Sequence, residues 1–207
     1  ISWAFLAMTR EPVQTSIVPR QSTQQYWQAL PNIVRQDHNY RTFLWGRLLM
    51  AMGGMGVGFI TVTAVKQWQV PNSTVGLYTL ALLFGQTLGN LFFGLLADRH
   101  GHKLSLELSA LAGMSAFLIA WLAPEAVWYF AVFVLLGMST GGMIVSGILV
   151  VLEFCIPEKR PTYVGLTNTG VGIVSVLSPL LGALLATRNA DWLFALCAFL
   201  FLLSYIV

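Results

Sequence analysis

Between Gly94 and Lys103 the chain reads Gly-Leu-Leu-Ala-Asp-Arg-His-Gly-His-Lys, a cluster of one acid, two bases and two histidines. Such groups can make ion pairs. Asp98, His100 and His102 could also offer a carboxylate and two imidazoles to a metal, but no fourth ligand lies nearby and zinc sites take four, so no metal site is expected. The elements that must position these side chains are apolar. Val75 to Ala97 carries no charge, and Leu104 to Ala123 carries only Glu107. A bilayer core about 30 Å thick is crossed by about 20 apolar residues in a helix, so two spanning helices meet here. The expected join is a turn of about five residues, with Gly101 free to take the positive φ of a tight reversal.

Composition agrees. Of the 207 residues, 57% are hydrophobic and 9% charged, whereas soluble domains carry about 25% charge. A soluble chain of this size could not bury so much apolar surface. The bases are spread over separate links and form no patch, so the net charge of +3 argues for membrane topology and against nucleic-acid binding. Cys155 and Cys197 both lie in or beside apolar runs, which makes a disulfide framework unexpected.

The hydropathy pattern predicts spans over Phe43–Val65, Val75–Ala97, Leu104–Ala123, Val127–Leu152, Tyr163–Ala186 and Trp192–Val207. Links on one side carry Arg10, Arg20, Arg35, Arg41, Arg99, Lys103, Lys159 and Arg160, while the other side has only Lys66 and Arg188. By the positive-inside rule the first set is cytoplasmic. Arg47 lies a turn inside the first full span, close enough to snorkel to the interface. Residues 1–8 read as the end of a preceding transmembrane helix and the last run stops within a helix, so the chain reads as a fragment. Residues 9–42 read as a cytoplasmic central loop, in which Tyr26, Trp27, Leu30 and Val34 follow the spacing of an interfacial amphipathic helix; the alternative is a flexible linker with a few apolar residues. Residues 43–207 form the carboxy-terminal bundle.

The pattern Gly94-x-x-x-Asp98-Arg99-x-Gly101-x-Lys103 resembles the signature loop of the major facilitator superfamily (MFS) of transporters, found between the second and third helices of each half. There the position of His102 usually holds another base, so this loop carries less charge. A second stretch, Glu153-Phe-Cys-Ile-Pro157-Glu158-Lys159-Arg160-Pro-Thr-Tyr-Val-Gly165, is similar to the loop between helices ten and eleven, with Glu153 matching its acid and Arg160 its base. The resemblance implies an all-α polytopic membrane protein. It would be a six-helix bundle of two inverted three-helix repeats, running from the end of helix six to helix twelve, with the amino-terminal half as its partner. It implies alternating-access transport of a small solute across a plasma membrane, with a proton or cation as a possible coupling partner and no cofactor.

Charges at the ends of spans are less screened than at an open surface. A pairing of Arg99 with Glu153, and of Asp98 with Arg160 or a helix N-terminus, would latch one side in one conformation; the alternative is that these are topology charges alone. Charges inside spans usually mark ion pathways, and this half shows no mid-depth carboxylate. Glu107 is four residues after Lys103, the spacing of a helical ion pair. Uncharged polar groups remain for substrate. Gln86 and Asn90 share a helix face with Tyr78 near it, Thr167 and Asn168 cluster in the fifth span, and the resemblance places those helices beside the central cavity. The competing role for these groups is interhelical hydrogen bonding.

Gly54-xxx-Gly58, Gly85-xxx-Gly89 and Gly137-xxx-Gly141 fit close helix packing, while Gly165, Gly170 and Gly172 with Pro179 would let the fifth span bend. A transporter-like sensor or assembly partner is the alternative to transport. An intramembrane enzyme is disfavoured, since no mid-membrane acid–base or metal constellation exists.

Overall fold

The structure, a computed structural model, describes residues 31–153 and 155–207. Residues 1–8, most of the 9–42 link and the amphipathic positions Tyr26, Trp27 and Leu30 lie outside the described residues. Residues 31–36 are helical. The bundle proper consists of α1 (His38–Gly53), α2 (Val57–Trp68), α3 (Asn72–His100), α4 (His102–Leu122), α5 (Trp128–Ser146), α6 (Leu149–Glu153), α7 (Arg160–Arg188) and α8 (Ala190–Ile206). Among the described residues five helical stretches, counting α1–α2 and α5–α6 as one each, are long and apolar enough to cross a membrane, and α8 is a shorter apolar helix. This is an all-α polytopic membrane fold.

The first span begins at His38 rather than Phe43. Asp37 is its N-cap, its Oδ1 accepting from the backbone N–H of Tyr40 at 3.0 Å, so the cap sets the start ahead of the apolar run. The expected five-residue turn at Asp98–Lys103 shrinks to one residue. Helix α3 runs through His100 and α4 starts at His102; Gly101, at φ 92° and ψ 157°, makes the whole reversal. Those angles are essentially reserved for glycine. The N–H of Gly101 still caps α3 on the Ala97 carbonyl at 2.9 Å.

Packing follows a repeated scheme. Helix α3 packs on α5 and α7 on α1, α4 packs on α5 and α8 on α1, and α4 and α8 pack on each other in the middle. This is the pattern expected when α1–α4 and α5–α8 are two copies of one three-helix unit. The central core joins Phe117 of α4 to Phe194 and Phe201 of α8, at ring separations of 6.3 and 5.8 Å.

The first span of each unit is interrupted. Three glycines in four residues (Gly53, Gly54, Gly56) turn the first into a 3-10 segment between α1 and α2, because glycine is the weakest ordinary helix former. A turn at Gly147–Ile148 separates α5 from α6. The fifth span is the unbroken 29-residue helix α7, with Pro179 inside it.

The glycine pairs divide as well. A Cβ on Gly137 would run into the Leu82 carbonyl and the backbone N of Gln86, and one on Gly85 into the backbone of Val134. Gly89 and Gly141 close on Met138 and on Gln86 and Asn90 in the same manner. The two motifs are therefore the two halves of one interface, α3 against α5. A Cβ on Gly54 or Gly58 would meet nothing within 4 Å among the described residues. Their neighbours do the work: Gly53 faces Phe201, and Gly56 faces Phe117 and Cys197.

Candidate functional site

The signature loop sits at the reversal between α3 and α4. Asp98 and Arg99 occupy the last turn of α3 and are exposed. Gly94, one turn earlier, has open space where a Cβ would stand, so nothing in this bundle demands a glycine there. His102 has a different role from the base it replaces. It is half-buried, with Nδ1 3.4 Å from Ser146 Oγ; Ser146 donates to Ser105 Oγ at 2.8 Å, and Ser105 to the Phe93 carbonyl at 3.2 Å. This chain of buried hydroxyls ties the start of α4 to the end of α5 and to α3.

Lys103 is strongly exposed and pairs with Glu107 at 3.5 Å, as their spacing predicts. Among the described residues this is the ion pair formed: Arg99 is not joined to Glu153, nor Asp98 to Arg160. Glu153 closes α6 and Arg160 opens α7, both exposed, and α6 packs against α4, α5 and α7. The acid and bases of the two motifs thus stand at helix ends with their side chains toward solvent.

A polar cluster that the sequence did not disclose joins α1 to α7. The hydroxyl of Tyr40 lies 3.0 Å from Thr167 Oγ1 and donates to the Tyr163 carbonyl at 3.1 Å. The Tyr163 hydroxyl in turn donates to Asp37 Oδ2 at 3.2 Å, and the two tyrosine rings lie 4.5 Å apart. Asp37 thus caps α1 with one oxygen and holds α7 with the other. The available signal was an Asp three residues before a Tyr, just ahead of an apolar run, which marks a cap but not its distant partner. Beside this cluster lies Cys155, whose thiol pKa is raised by burial; the Arg160 charge pulls the other way and the Asp37 charge adds to the rise.

The five substrate-cavity candidates separate into two groups. Tyr78 is buried, stacked on Phe133 at 5.0 Å and edge-on to Phe130 at 4.8 Å, and its hydroxyl donates to the Ala126 carbonyl at 2.7 Å. It fastens α3 to the link before α5, and as a fully engaged core residue it presents no free polar group. Thr167 is likewise buried and taken up by Tyr40. Gln86 is half-buried, and Asn90 and Asn168 are exposed on the outer faces of α3 and α7. Those are the two helices at the edges of the bundle, and beside the amides they expose large apolar side chains such as Phe84, Leu91, Val176 and Leu180.

Arg47 departs furthest from expectation. The longer first helix places it nine residues past His38, roughly 14 Å along the axis at 1.5 Å per residue. Two of its guanidinium nitrogens, Nε and Nη1, are buried and no acceptor among the described residues meets them.

With this architecture in place the comparisons are decisive at the level of the family. Residues 43–207 match the profile of the Major Facilitator Superfamily, and the chain belongs to that family. A human protein named as a transporter, SVOPL, is 28% identical over 140 residues, covering 64% of this chain and 28% of that one. The niacin transporter NiaP of Acinetobacter baylyi is 27% identical over 136 residues, covering 64% and 31%. The gentisate transporter of Corynebacterium glutamicum is 23% identical over 136 residues, covering 65% and 30%. The chain thus spans about three tenths of the length of the curated relatives it matches.

Proposed function

We propose that this chain is the carboxy-terminal half of a secondary transporter that moves a small organic solute across a plasma membrane by alternating access. The reading rests chiefly on one observation. The edge helices α3 and α7 carry Asn90 and Asn168 exposed, and Gln86 half-buried beside Asn90, within their membrane-spanning lengths. Uncovered amides at that depth are costly against lipid, and a second bundle enclosing a polar path would satisfy them. Residues 1–8 would then end helix six and residues 9–42 would be the central loop. The base-rich links, including residues 98–103 and 153–162, would face the cytoplasm. Gln86, Asn90 and Asn168 would hydrogen-bond the solute, with a proton or cation as coupling partner.

In the same reading Gly94, Asp98, Arg99, Gly101, Lys103, Glu153 and Arg160 form a conformational latch. Their separation in the present conformation suits a pair made in one state and broken in another, since only the difference between states biases the equilibrium. Couplings of this kind are about 1–3 kcal/mol, or about 5- to 150-fold in population.

Reconstituting the full-length protein in liposomes, with nicotinate and gentisate as first probes and a pH gradient imposed, tests the transport reading. Saturable uptake, with apparent affinity weakened by Asn90→Ala and Asn168→Ala, is the expected result. Absence of flux for every solute class in folded, reconstituted protein would favour a sensor or assembly role. For the latch, Arg99→Glu should slow transport at least fivefold and Glu153→Arg in the same protein should restore it. Failure of that rescue would remove the Arg99–Glu153 pair from the proposal.

A further inference from the structure

The buried guanidinium of Arg47 opens onto a cavity of about 370 Å³ at one membrane end of the bundle, a volume within the range of small-ligand sites. The starts of α1 and α4 (His38, Lys103) and the end of α8 (Ser204, Tyr205) line it, with Val150 of α6 behind. It lies among α1, α4, α6 and α8, away from the outer faces of α3 and α7 that carry the solute candidates. Gly147 makes room for the guanidinium: a Cβ there would stand 3.1 Å from both Cζ and Nη2 of Arg47.

Charge is the second consideration. The cavity lining holds the cations Arg47 and Lys103 and the acid Glu107. Glu107 is already paired with Lys103, and among the described residues no acceptor meets Nε or Nη1 of Arg47. An unpaired charge at this depth is costly. The N-termini of α1 and α4 both point their positive ends at this side. Neutral polar groups (Thr42, Asn39, Ser204) complete the wall. The chemistry that fits is a compact anion able to accept two guanidinium hydrogen bonds, as phosphate oxygens do.

We propose that this cavity is a phosphate-binding site, with Arg47 as its anchor and Lys103 at its mouth, filled either by the headgroup of an anionic lipid or by free phosphate.

Thermal unfolding of the delipidated full-length protein tests it, with phosphatidylglycerol, phosphatidylcholine, or inorganic phosphate against chloride at equal ionic strength, and native mass spectrometry to count bound lipid. Phosphatidylglycerol should raise the midpoint and phosphatidylcholine should not. Arg47→Gln should weaken that response at least tenfold in concentration, Lys103→Gln two- to threefold, and Glu107→Gln should strengthen it. If inorganic phosphate reproduces the rise and phosphatidylglycerol adds nothing, the occupant is the free anion. No response of the wild-type protein to any anion, or an undiminished response in Arg47→Gln, overturns the site. Should Arg47→Gln not fold, the two variants at the mouth still decide: shifts of opposite sign support the site, and equal or absent shifts reject it. Midpoints lowered by Glu107→Gln but not by Lys103→Gln, without any anion, would instead make Glu107 the partner of Arg47 and overturn the proposal.

Discussion

The two edges of the bundle are built from equivalent helices in the repeat scheme, α3 on α5 and α7 on α1, yet they are held by different physics. At the first edge four glycines let two backbones approach until no Cβ could fit between them. At the second, the contact is carried by aromatic rings and hydroxyls near one end, Tyr40, Tyr163 and Thr167, with Gly182 meeting the 3-10 junction further along. Backbone-to-backbone packing is rigid because a packed interior resists small displacements. A joint made of a few hydrogen bonds, each about 1 kcal/mol net, can open and reclose. If the half-transporter flexes internally during its cycle, α7 is therefore the helix expected to move and α3 the one that stays with its neighbour.

The largest effect should come from filling the tight edge. Gly137→Val puts carbon atoms where the Leu82 carbonyl and the Gln86 backbone now lie; the expected loss is about 3 kcal/mol or more, as for severe overpacking, read as lost monodisperse protein in detergent. A smaller effect is expected at the polar joint. Tyr40→Phe removes the hydroxyl that meets Thr167 and the Tyr163 carbonyl, at a cost of about 1 kcal/mol. It should speed amide exchange in the first turns of α7 while leaving α3 unchanged. The smallest belongs to the loose edge. In Gly170→Ala the new methyl meets Leu48 and Leu44 at ordinary contact distances of 3.4 and 3.9 Å, so stability should stay within about 0.5 kcal/mol. A Gly170→Ala variant as damaged as Gly137→Val would end the distinction between the edges.

The spans were legible because a bilayer imposes a length and an apolar composition that leave a direct mark on the chain; each predicted range lies within or close to an observed helix. The Lys103–Glu107 pair was legible for an equally local reason, since one helical turn brings i and i+4 together. The candidate site was harder. Asn90 and Asn168 stayed exposed and Gln86 half-buried, whereas Tyr78 and Thr167 were absorbed by partners remote in sequence, Ala126 and Tyr40. Residue type does not reveal which polar group will find a distant acceptor.

What the sequence determined by itself, then, is whatever depends on neighbours within a turn or two: six apolar helical runs, the reversal at Gly101, and the acid–base motif at its edge. Only the tertiary structure decided which glycines pair, that Asp37 serves two helices, and that Arg47 lines a cavity. Those outcomes depend on how separate helices are brought together, and a linear pattern carries the period of each helix but not its partner.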